Sequence, residues 1–172
     1  MKKKKMILMF FLLFLTIIVI LILEYKFIEC PVKFTVIPSE TEVHPGDIVT
    51  YNVKISAVRN LGSMKFKIVI PEGLTFMEGK EVDGLQSKLN AVKAEFIEST
   101  KVFVIGLSNY SSTIDTLLMT FKCSVNDDAS GKKDITFIID EDDIFDTSDD
   151  MNNIPVEYSN LGSTINVISS AS

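Results

Sequence analysis

The stretch Leu117-Leu118-Met119-Thr120-Phe121-Lys122-Cys123-Ser124-Val125 puts Leu117, Met119, Phe121, Cys123 and Val125 on every second position, with Thr120, Lys122 and Ser124 between them. Successive side chains of a strand point to opposite faces, so this spacing gives one buried and one wet face; a helix would repeat its apolar positions every three or four residues. The run ends in Asn126-Asp127-Asp128-Ala129-Ser130-Gly131, a cluster of turn formers.

The same period of two continues on both sides. Val32, Phe34 and Val36 predict a first strand that Pro38 stops. After the His44-Pro45-Gly46-Asp47 turn, Val49, Tyr51, Val53 and Ile55 alternate with Thr50, Asn52 and Lys54. Asn60-Leu61-Gly62-Ser63 predicts another turn, and Met64, Phe66, Ile68 and Ile70 then alternate with Lys65, Lys67 and Val69 as far as Pro71. Residues 72–76 predict a corner whose Leu74 and Phe76 plug the open end of the core, and residues 78–91 a polar loop with room for one helical turn. Residues 95–97 and 101–107 predict a hairpin, followed by a polar loop at 108–112; later strands are expected at 135–139, 156–158 and 164–167. Eight or nine short strands separated by turns predict an all-β fold, an antiparallel two-sheet sandwich of the jelly-roll or immunoglobulin-like kind over residues 31–172.

Ahead of this domain stand Lys2 to Lys5, then residues 6–23 without a charged side chain. At about 1.5 Å per residue such a run spans roughly 27 Å, close to the hydrocarbon thickness of a bilayer. It is longer than the apolar core of a cleavable signal and lacks small residues at its end, where Glu24, Tyr25, Lys26, Phe27 and Ile28 follow, which predicts an uncleaved signal anchor. The organisation expected is therefore a basic cytoplasmic tail (1–5), one transmembrane helix (6–23), a short linker (24–30) and an extracellular domain. The four leading lysines keep the N-terminus in the cytoplasm.

Four of the 17 basic residues precede the apolar run and all 23 acidic ones follow it, leaving 13 against 23 outside, a net charge of minus ten. Such a surface repels nucleic acid. Cys30 and Cys123 both fall on the oxidising side, where a disulfide persists. Cys123 lies in the apolar series and reads as a small buried hydrophobe. A bridge to Cys30 would pull the juxtamembrane segment onto the sheet interior, and whether the two pair is left open.

Three stretches in order resemble the cohesin domains of bacterial cellulosome scaffoldins and cell-surface proteins. These are Val43-His44-Pro45-Gly46-Asp47 leading into Val49, Tyr51 and Val53; Asn60-Leu61-Gly62-Ser63, a strand and Pro71-Glu72-Gly73-Leu74; and residues 117–125 with the Gly131 turn, residues 135–139 and Gly162-Ser163-Thr164-Ile165-Asn166-Val167. The resemblance implies a sandwich shared with carbohydrate-binding modules, one sheet face of which docks the calcium-loaded dockerin of a partner enzyme. The chain departs from the pattern at Lys65 and Lys67, where cohesins often show Asn or Asp. Pro45 to Val53 and Pro71 to Phe76 also resemble the immunoglobulin-like repeats of bacterial surface proteins, which implies the same sandwich in a spacer's role.

The candidate chemistry is sparse. The single histidine, His44, precedes a Pro-Gly turn and reads as solvated, and no nucleophile and base or metal-ligand spacing accompanies it, so catalysis is not expected. Seven carboxylates fall in residues 140–150. Asp140, Asp142 and Asp143 are the candidates for Ca²⁺, but the segment lacks the glycine of an EF-hand loop and Ile144 and Phe145 interrupt it; the competing reading is a solvated acidic loop. Polysaccharide binding needs exposed rings: Tyr51 shares a face with core residues, Tyr110 and Tyr158 are placed in loops, and there is no Trp. Lys65 and Lys67 point out of one strand, suited either to receive an acidic partner helix or to guard an edge against aggregation. The function expected is a surface-anchored, non-catalytic module that holds a secreted, dockerin-bearing carbohydrate-active enzyme, with a direct carbohydrate-binding module and a structural spacer as alternatives.

Overall fold

Two long strands organise the domain, β3 (Ile48–Val69) and β6 (Val102–Val125), paired antiparallel along most of their length. The computed structural model describes residues 11–20, 32–89, 91–140, 143–146, 156–157 and 162–168. The chain divides into two units, Met1–Cys30 and Pro31–Ser172. In the first, residues 11–20 are helical. No helix among the described residues is long and apolar enough to cross a membrane, and residues 6–10 and 21–23 of the expected crossing lie outside them.

In the second unit, the register between β3 and β6 slips at four places between Val53 and Ser63. Extra residues on one strand of a pair bend it, so each strand contributes to two layers. One layer holds β1 (Val32–Pro38), the first half of β3, the second half of β6 and β4 (Leu74–Glu81), with β9 (Val156–Glu157) beside β1. The other holds β5 (Ala91–Ile97), the first half of β6, the second half of β3 and β7 (Gly131–Ile138), continued by β10 (Ser163–Val167) and β2 (Glu42–Val43). β8 (Ile144–Asp146) pairs with β3 next to the residues that β7 occupies.

The alternating side chains meet between the layers. Phe34 of β1 packs edge-on against Phe66 of β3 at 5.7 Å, and Phe66 also meets Phe103 at 5.1 Å and Phe137 at 5.4 Å. A second cluster holds Tyr51 stacked on Phe121 at 4.8 Å, with Phe76 against Phe96 at 5.9 Å. Phe96 fits because Gly79 faces it: a Cβ there would fall 2.5 Å from its ring. Cys123 is buried and free, as its place in the apolar series predicts, while Cys30 lies outside the described residues.

The sandwich is the expected class, with four corrections. The turn predicted at residues 60–63 and the loop predicted at 108–112 are both strand, because β3 and β6 keep their pairing through the bend and use the turn formers as bulges. Tyr110 is consequently buried, its hydroxyl 2.9 Å from Thr116 Oγ1, while Tyr158 lies outside the described residues. Two short pairings, β1 with β9 and β2 with β10, are parallel in an otherwise antiparallel fold. The corner predicted at residues 72–76 and the start of the loop predicted at 78–91 are instead strand β4, paired with β6, and the helical turn allowed for in that loop is present at Leu85–Lys88.

Candidate functional site

On the outer face of the β5-β6-β3-β7 layer, register fixes which side chains stand together. Lys67 of β3 lies opposite Ile138 of β7 on one side and Val102 of β6 on the other, and Val102 lies opposite Ile97 of β5. The row therefore reads Ile138, Lys67, Val102, Ile97, with neighbours about 5 Å apart. Ile138 is 49% exposed and Ile97 38%. The adjacent row is Lys65, Val104, Glu95. On Lys65, the hydrogen bond and charge of Asp143 push the ammonium above its usual value, with Nζ 2.9 Å from Asp143 Oδ1. Lys93 pairs with Glu95 at 2.6 Å.

Lys65 and Lys67 are thus both exposed on one face, as the alternation predicts. The apolar partners Ile97, Val102 and Ile138 escaped the sequence reading because they sit in runs that are apolar in both phases, Val102-Phe103-Val104-Ile105 and Phe137-Ile138-Ile139, where a period of two cannot choose a side.

The acidic candidates do not form a metal site among the described residues. Asp143 gives one oxygen to Lys65, and its other accepts the backbone N–H of Asp140 at 3.2 Å, while its own N–H donates to the Asp140 carbonyl at 2.9 Å. Asp142 lies outside the described residues, and no three His, Cys, Asp or Glu side chains converge among the described ones. The Ile144 that interrupts the acidic run is buried in β8, which accounts for the interruption. His44 is exposed, its backbone N–H donating to Asp47 Oδ2 at 2.7 Å. A cavity of about 300 Å³ beside the helical turn is lined by Glu81, Asp83, Gln86 and Ser87, with Asp83 tied to Lys80 at 2.9 Å.

The outer face of the other layer carries more polar side chains, with Ile37 41% and Ile48 56% exposed among them. Its rows are Ile37, Asn52, Thr120, Lys80 and Thr50, Lys122, Glu78, the last two paired at 2.6 Å.

No family model matches the sequence, and no curated protein does either. Solved structures do. A type I cohesin in complex with a dockerin from Clostridium thermocellum matches with a TM-score of 0.54 at 18% identity, over 79% of this chain and 99% of that one. A non-cellulosomal cohesin from the archaeon Archaeoglobus fulgidus matches at 0.55 and 21%, over 80% and 92%. The cohesin module of a Clostridium perfringens family 33 glycoside hydrolase matches at 0.56 and 14%, over 82% and 99%. The domain has the cohesin fold. Within that cohesin fold, the outer face of the β5-β6-β3-β7 layer sets Lys67 between two apolar cross-strand partners, Val102 and Ile138.

Proposed function

We propose that the chain is a membrane-anchored, non-catalytic extracellular module that holds a secreted, dockerin-bearing partner at the cell surface, through the outer face of the β5-β6-β3-β7 layer. The observation that carries it is the match to cohesin modules over nearly their whole length, two of them solved in complex with a dockerin from Clostridium thermocellum. The exposed Ile138 and Ile97 and the half-buried Val102 between them support this choice of face, since isolated apolar side chains are common on surfaces but a contiguous row beside a cation is a recognition feature. Residues 1–23 supply the anchor in this reading: lysines followed by an uncharged run, which holds the captured enzyme at high local concentration. Polysaccharide binding is less well supported, because Tyr51 and Tyr110 are both buried and offer no stacking platform.

The test is affinity capture with the full-length chain against the secreted proteins of the same cell, with and without chelator. Capture of dockerin-bearing proteins, lost when calcium is removed, is expected. Retention on polysaccharide with no protein captured would overturn the reading.

A further inference from the structure

Lys65 and Lys67 are the same residue type, two positions apart on one strand, yet their surroundings differ. Lys65 stands where β8 succeeds β7 along β3, and there Asp143 holds it while closing the turn that links those two strands. Asp143 is only 13% exposed, so releasing Lys65 to a partner would leave a largely buried carboxylate without its cation. Lys67 has no ion pair among the described residues, and its cross-strand neighbours are apolar on both sides. A cation framed by Ile138 and Val102 gains most from a carboxylate that arrives with an apolar surround of its own, because excluding water strengthens the pair.

We infer that Lys67 is the specificity-determining residue of this face, selecting a partner surface with one carboxylate set among apolar side chains, and that Lys65 is a positioning residue held by Asp143. This rests on the proposed docking role and commits to the dockerin-bearing protein as occupant. A second copy of the chain is a poor occupant, since a two-fold contact centred on this row brings Lys67 against Lys67. The partner's carboxylate supplies a term that a neutral analogue lacks, and Lys67 without it would be covered and unpaired.

The test uses the full-length chain in detergent micelles, with calcium-loaded dockerin modules encoded in the same genome as probes, titrated at low and high salt. Lys67→Met is expected to raise Kd at least about tenfold and to flatten the salt dependence. Lys65→Met is expected to change Kd less than about threefold while lowering Tm, because the Asp143 turn loses its cation. Replacing the dockerin carboxylate by alanine should remove most of the difference between wild type and Lys67→Met. A Lys65→Met effect as large as that of Lys67→Met, or an unchanged Kd in Lys67→Met, overturns the inference and leaves docking standing. If no dockerin module binds the wild-type chain, the docking role fails and the inference falls with it.

Discussion

Residues 48–57 and 64–69 of β3 both bury alternate side chains, Val49, Tyr51, Val53 and Ile55 in the first half and Met64, Phe66 and Ile68 in the second, and they differ on the side facing water. The first half presents Ile48, Thr50, Asn52 and Lys54, with Ile37, threonines and the Lys122–Glu78 pair beside them. The second presents Lys65 and Lys67 beside Val102, Val104 and Ile138. One strand thus spans two layers with different outer surfaces, and the bend between them separates the two.

The largest effect that could break this comparison lies inside. Phe66→Ala empties the centre of four aromatic rings and is expected to cost about 3–5 kcal/mol, measured by urea unfolding. If it costs under about 1 kcal/mol, the second half is not anchored as described.

The layer of the first half holds two ionisable groups in their neutral forms, Tyr51 and, on β6 opposite Val49, Cys123. Burial raises the Cys123 thiol to about 12 from its ordinary 9.0 and raises the Tyr51 hydroxyl as well. Because the folded thiol stays neutral while the unfolded one ionises, its contribution is complete below pH 9 and is lost as pH rises towards 12, at up to about 1.4 kcal/mol per pH unit. Urea midpoints at pH 8 and pH 10.5 should show that decline, and iodoacetamide should fail to label the native thiol at pH 8.

A smaller effect is expected at Asp143. Asp143→Ala should lower Tm by about 3 °C and speed hydrogen exchange in β8, with β1 unaffected. Smaller again is Tyr51→Phe, whose lost hydroxyl is buried without a partner: stability should stay level or rise by up to about 1 kcal/mol. Asn52→Glu, on the more polar outer face, should leave both stability and partner binding within error, and a loss of binding there would move the docking surface to the other layer.

The sandwich was legible from residues 117–125 and 48–56 because strict alternation admits only one buried face. The bend was not, since Asn60-Leu61-Gly62-Ser63 carries the composition of a turn, and only the partner strand decides that these residues remain paired. Lys65 and Lys67 were visible as an exposed pair, but their inequivalence depends on Asp143, 78 residues away from Lys65 in sequence. The apolar members of the face were hidden by runs whose two phases look alike.

β1 begins at Val32, one residue after the boundary between the two units, and lies between β3 and β9, with Phe34 driven into the aromatic cluster. Tension on the chain from its N-terminal side therefore enters a strand gripped by β3 along its whole length, by β9 at Val32 and Lys33, and bolted through Phe34. Seven register pairs with β3 share that load, from Val32 with Ala57 to Pro38 with Tyr51. The mechanical strength of the domain sits in its first strand, the element through which a pull from residues 1–30 must pass.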